Sequence, residues 1–117
     1  MGRILLVDDD EDMMMLTSRW LSKEGYDVTM KTSGKAALSF LDENEVDLVI
    51  LDYAMPEMDG PDVLKAIRER GNMVNVIFRT GKDESDIEDI ASKYSLSGSV
   101  SKAEGKKKLL EVVGNLL

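Results

Sequence analysis

The stretch Val46–Pro61, VDLVILDYAMPEMDGP, carries four consecutive aliphatic residues, Leu48-Val49-Ile50-Leu51, that run directly into Asp52 and then into an irregular loop. An apolar run of this length without polar alternation reads as a strand buried on both faces, the kind found inside a helix-covered parallel sheet. Pro61 suits a first helical position, where its missing N–H costs nothing, so a helix is expected from Pro61 to Arg70. The same strand pattern recurs on either side. Ile4-Leu5-Leu6-Val7 is a second aliphatic run that ends in acids, and Val74 to Arg79 is a third.

Amphipathic segments separate these runs. One spans about Glu11 to Glu24 and is stopped by Gly25, a favourable residue just past a helix end. A second runs from Ser33 or Gly34 to about Asn44, with Ala37, Phe40 and Leu41 on its inner face. A third, about Glu84 to Tyr94, places Ile87, Ile90, Ala91 and Tyr94 at the spacing of a buried stripe, and a fourth, Ala103 or Glu104 to Leu117, repeats it with Leu109, Val112, Val113 and Leu116. Tyr26 to Lys31 alternates and is half-buried. Leu96 to Ser101 has only Leu96 and Val100 as apolar residues, which marks an edge. Five βα units in succession, with strands one, three and four in the middle, give a doubly wound parallel five-stranded sheet, (βα)5, of order 2-1-3-4-5, the flavodoxin-like arrangement.

The 117 residues suffice for one domain, 1–117, with 43% hydrophobic residues for its core. Fifteen Lys and Arg against 23 Asp and Glu leave a formal charge of −8, which argues against binding nucleic acid or an anionic membrane. Lys106-Lys107-Lys108 is the one basic cluster and reads as a solvated helix face. There is no Cys and no His, so disulfides, thiolate or imidazole metal sites and imidazole bases are excluded. No segment has the pattern of a signal peptide or the roughly 18 apolar residues of a membrane span, and a cytoplasmic location is expected.

In open sheets of this order, ligands bind beyond the carboxyl ends of the strands. Those ends hold Asp8-Asp9-Asp10, Asp52, Thr80-Gly81 and Lys102. An oxygen-only cluster of carboxylates suits Mg²⁺, or Mn²⁺ in its place, and a nearby ammonium and hydroxyl are what a transferring phosphoryl group needs. Each residue alone has a plainer reading: the acidic run as a solvated helix start, Asp52 and Thr80 as turn residues, Lys102 as a surface lysine. An EF-hand calcium loop starting at Asp8 fails, because its sixth position is Met13 and its twelfth is Arg19. Asp10 and Asp12 fit caps or outlying charges, and which adjacent Asp faces a metal is a matter of register. Met13-Met14-Met15 and Trp20 read as packing on the first helix.

Val7-Asp8-Asp9, Leu51-Asp52, Met55-Pro56-Glu57-Met58-Asp59-Gly60, Thr80 and Lys102, in that order on this frame, resemble the receiver domain of bacterial two-component response regulators. The resemblance covers essentially the whole chain. It implies that Asp52 accepts a phosphoryl group from a partner's phosphohistidine or a small phosphodonor, that Asp8 and Asp9 hold Mg²⁺ with Asp52 and the Ala54 carbonyl, that Thr80 hydrogen-bonds the phosphoryl group and that Lys102 pairs with its oxygens. It also implies a sensor histidine kinase or phosphotransfer protein as donor and a downstream protein or fused output domain as reader. The reading face is that of helix four, strand five and helix five, with the chain a monomer or a weak dimer through it. Catalysis is limited to the domain's own phosphorylation and dephosphorylation. The chain ends at Leu117 without a further module, which fits either a stand-alone receiver or a piece of a longer regulator, sensor kinase or cyclase.

Six positions depart from the family or need comment. Ala103 follows Lys102 where the family usually has Pro in a cis bond, and a non-proline cis bond costs about 3 kcal/mol, so a trans bond and a different loop path are expected. Ser99 stands at the position of the switch aromatic and cannot fill the space that residue fills, so weaker output coupling is expected. Arg79 is unusual in a central strand and is read as turning toward helix-cap acids in preference to a phosphate contact. Ala54, Gly81 and Lys82 occupy positions that tune phosphoaspartate hydrolysis, and Lys82 either blocks or orients the attacking water. The rival readings are a pseudo-receiver acting only through protein contacts and a Mg²⁺-dependent phosphatase with an Asp nucleophile, which this chain is too short to equip with a cap.

Overall fold

The computed structural model describes residues 2–81 and 86–117. Five parallel strands, β1 (Arg3–Val7), β2 (Asp27–Lys31), β3 (Leu48–Asp52), β4 (Asn75–Thr80) and β5 (Gly98–Ser101), form one sheet in the order β2-β1-β3-β4-β5. The connections are α1 (Glu11–Lys23), α2 (Gly34–Glu43), α3 (Gly60–Glu69) and α4 (Ile87–Tyr94), and α5 (Gly105–Leu116) closes the described chain. This is the expected flavodoxin-like sheet. The start assigned to helix four at Glu84 lies outside the described residues.

Alternation along the strands splits the core in two. Leu5, Val7, Val49, Leu51, Val76 and Phe78 face α2 and α3, whereas Ile4, Leu6, Leu48, Ile50, Ile77 and Val100 face α1 and α5. Each fully buried aliphatic side chain contributes about 1.5–3 kcal/mol, so the three central strands carry much of the stability. The strands end at one edge of the sheet, and there the helix N-termini are capped by Asp10, Ser33 and Asp59, whose side chains accept from Met13 N, Ala36 N and Asp62 N. The frame around the carboxylates is therefore fixed from both layers.

Two expectations about packing need correction. The stripe on α4 is only half-buried, with Ile87, Ile90 and Tyr94 resting on the margin of the core. The helix packs beside α3 on the sheet face of Phe78, and Ser99, paired in register with Phe78, is exposed and supplies no apolar surface. On α1, Met14 is buried and Trp20 packs on the core, but Met15 and Leu16 are 50% and 43% exposed, so the methionine run is not packing throughout.

Candidate functional site

Asp8, Asp9 and Asp52 converge at the ends of β1 and β3, with carboxylate oxygens all within 4.8 Å of one another. Asp8 and Asp52 are buried and Asp9 is exposed, which leaves the cluster open on one side. The register of the acidic run is set by Asp10: it caps α1, and its own N–H donates to Asp8 Oδ1 at 2.9 Å. That contact turns the Asp8 carboxylate inward. A small all-oxygen cluster with one open side fits a hard divalent cation that keeps several waters.

Lys102 enters from β5. Its Nζ lies 3.1 Å from Asp52 Oδ1 and 4.0 Å from Asp8 Oδ2. The described residues contain no cis peptide bond, as Ala103 led us to expect. Instead, Lys102–Glu104 form a single 3-10 turn closed by a capping box: Ala103 N–H donates to Ser101 Oγ at 3.2 Å and Ser101 N–H to Glu104 Oε1 at 2.9 Å. Gly105, at φ 73°, then turns the chain into α5, a conformation that favours glycine. The device is legible as Ser101-x-x-Glu104, a capping-box spacing that our reading of the strand end passed over.

Burial, and next the charge of Asp8, push the Asp52 carboxyl up to about 6, against the hydrogen bond and charge of Lys102, which hold it down. Two carboxylates sharing one ammonium in a buried site resist full ionisation, and a divalent cation relieves this.

Thr80, buried, ends β4 one residue beyond Arg79, which is the strand partner of Asp52. Ala54 and Gly81 are exposed at the same edge, and Lys82 lies outside the described residues. Arg79 does not turn to helix-cap acids. It is buried at 3% exposure beneath α1, where its guanidinium NH1 is 3.5 Å from Thr17 Oγ1. A strand residue beside Asp52 faces the same side of the sheet as Asp52, which explains the direction. A second contact missing from the sequence reading joins the loop after β3 to the start of α4: Tyr53 OH donates to Asp86 Oδ1 at 2.5 Å, and the Tyr53 ring meets Phe78 edge-on.

The backbone at the end of β3 is approached closely by Gly60. A Cβ there would lie 2.8 Å from Asp52 O and 3.0 Å from Tyr53 Cα, and Gly60 N–H donates to Tyr53 O at 2.8 Å. Gly60→Ala is expected to destabilise the protein by about 2–3 kcal/mol, because the obstructing atoms are backbone and cannot swing away. Urea unfolding measures it; a loss below 0.5 kcal/mol, as a rough threshold, would show that the loop yields.

Comparison with known proteins agrees with this geometry. Residues 4–114 match the family of the response regulator receiver domain. The chain belongs to that family. The receiver is 32% identical over its full length to the response regulator SaeR of Staphylococcus aureus, of which it spans about half, 51%. Among solved structures it resembles the response regulator TrrA of Thermotoga maritima, crystallised in complex with Mg²⁺-BeF, at 32% identity and a TM-score of 0.89 with both chains covered completely. The chemotaxis protein CheY4 of Vibrio cholerae superposes with a TM-score of 0.92 over 100% of the receiver and 99% of that chain, at 24% identity, and supports the fold alone. Receiver domains of this family are signalling domains and not enzymes in the general sense. No described helix is long and apolar enough to cross a membrane.

Proposed function

We propose that the domain is a phosphoacceptor switch in which Asp52 takes a phosphoryl group from a partner's phosphohistidine, or from a small phosphodonor, with Mg²⁺ bound. The observation that carries this reading is the convergence of three carboxylates and one ammonium, with Lys102 3.1 Å from Asp52. Asp52 attacks the phosphorus, the bond from phosphorus to the donor nitrogen of phosphohistidine, or to the donor oxygen of a small acyl phosphate, breaks with its electron pair leaving on the donor, and an acyl phosphate remains on Asp52. A carboxylate attacking an anionic group needs its charge repulsion offset.

Asp8, Asp9, Asp52 and the Ala54 carbonyl would hold Mg²⁺, or Mn²⁺, whose charge supplies part of that offset. Lys102 would supply the rest, and Thr80 would donate a hydrogen bond from its hydroxyl to a phosphoryl oxygen. Asp52 must be ionised to attack, and its elevated pKa places that requirement near neutral pH in the metal-free protein. Asp8 and Asp52 are buried, and the cluster opens to solvent at the exposed Asp9. A cluster open on one side can meet a donor presented by another protein.

The donor is a sensor kinase or phosphotransfer protein, and the reader is a downstream protein or an attached output domain, in the cytoplasm. The reading surface is the α4-β5-α5 face, and with Ser99 exposed there the coupling to Asp52 is weaker than an aromatic would give. Hydrolysis of the acyl phosphate is tuned by Ala54, Gly81 and Lys82.

Intact mass after incubation with Mg²⁺ and acetyl phosphate tests the reading. The expected result is one labile phosphoryl adduct, absent from Asp52→Asn and from a sample with chelator. Folded protein with no adduct from acetyl phosphate or from a phosphohistidine donor would favour a domain that acts through contacts alone.

A further inference from the structure

We propose that Arg79 is a fixed counter-charge of the phosphoryl pocket: it weakens Mg²⁺ binding on its own and strengthens capture of the phosphoryl group once the metal is present. The inference rests on the reading of Asp52 as acceptor and adds a charge to it. Arg79 sits opposite Asp52 in the β3–β4 register, so both side chains leave the sheet on the same face. On its own face of the sheet Ile77 and Val100 are apolar and Asp52 is the one charged strand neighbour, so a guanidinium at 3% exposure there is costly unless compensated. The contact to Thr17 is neutral and long, and Nε has no hydrogen-bond partner. Compensation comes from charge: Asp8 and Asp52 oppose the effect of burial on Arg79.

The charge balance gives the direction. Three carboxylates against Lys102 and Arg79 leave the metal-free pocket at a formal −1. Mg²⁺ takes it to +1, and conversion of the Asp52 carboxylate to an acyl phosphate, which adds roughly one negative charge near neutral pH, returns it to zero. Without Arg79 the same steps run from −2 through zero to −1. Arg79 therefore opposes the first step and favours the second. A unit charge on the neighbouring strand of a partly buried site changes an ion's affinity by roughly tenfold.

Calorimetric titration of the folded protein at pH 8 with Mg²⁺, and then with beryllofluoride at saturating Mg²⁺, tests this. Arg79→Met is expected to bind Mg²⁺ roughly tenfold tighter and beryllofluoride roughly tenfold weaker, with Arg79→Lys close to the parent in both. Opposite shifts are what a packing role does not produce. A folded Arg79→Met with both affinities unchanged, or both weakened, would overturn the proposal. Should Arg79→Met not fold, Arg79→Gln removes the charge while keeping polar reach, and the same pair of shifts decides. If the parent binds neither Mg²⁺ nor beryllofluoride, the acceptor reading itself falls; if it binds both and the variants do not shift, only the role of Arg79 falls.

Discussion

Asp52→Asn is expected to make the metal-free protein more stable at pH 7.5, although it removes the proposed phosphoacceptor. The Asp52 carboxyl titrates at about 6 in the folded chain against 3.8 as an ordinary carboxyl. Between those values the folded state holds a proton that the unfolded state has released, so stability falls as the pH rises through that window. The stabilising contribution is complete below about pH 4 and lost above about pH 6, and a shift of this size corresponds to about 3 kcal/mol. Asn cannot ionise, but it also gives up the ion pair with Lys102. The net gain at pH 7.5 is accordingly smaller, about 1–2 kcal/mol, or several degrees in Tm. Thermal melts in chelator at pH 4.5 and pH 7.5 check it: the difference between the two proteins should be larger at the higher pH. Mg²⁺ should reverse the order, stabilising the parent and not Asp52→Asn, because ligation is linked to folding. A parent more stable than Asp52→Asn at pH 7.5 without metal would show that the Lys102 pair outweighs the cost of burying the carboxylate and the repulsion from Asp8.

The sheet order and the strand-end cluster were legible in the sequence because both follow from short-range patterns. Uninterrupted aliphatic runs at Ile4–Val7 and Leu48–Leu51 distinguish central strands from the alternating Tyr26–Lys31, and the acids and the lysine stand immediately after the runs. Side-chain direction at the ends of elements was less legible. Alternation along β4 places Arg79 on the Asp52 side, yet only the packed structure shows α1 lying over it with Thr17 within reach. Helix periodicity identified the inner face of α4 and not its depth, because depth depends on what β5 offers across the gap, and there Ser99 offers little. The sequence likewise marked Ala103 as a departure without showing what replaces a proline, since capping geometry depends on the path of Ser101 and Glu104 together.

That replacement governs the second large effect. Lys102→Ala is expected to slow adduct formation from acetyl phosphate at saturating Mg²⁺ by about a hundredfold or more, the usual consequence of removing one preorganised positive donor from a developing anion. The preorganisation is local. Lys102 belongs to a three-residue turn whose ends are tied by the Ser101–Glu104 capping box, and Gly105 redirects the chain immediately afterwards. A lysine on a free loop would sample many rotamers, whereas this one is held 3.1 Å from Asp52 by its backbone as well as by its charge. Glu104→Gln keeps a group able to accept from Ser101 N–H and should cost roughly threefold at most, while Glu104→Ala and Ser101→Ala, which each remove one capping bond, should cost about tenfold. Mass-resolved time courses at fixed acetyl phosphate, with Mg²⁺ titrated to saturation for each variant, separate a misplaced lysine from weakened metal binding. A misplaced Lys102 lowers the limiting rate with little change in the Mg²⁺ midpoint, because Lys102 is not a metal ligand. Capping variants that leave the limiting rate untouched while Lys102→Ala abolishes it would mean that charge attraction alone positions the lysine, and that the missing proline needed no structural substitute.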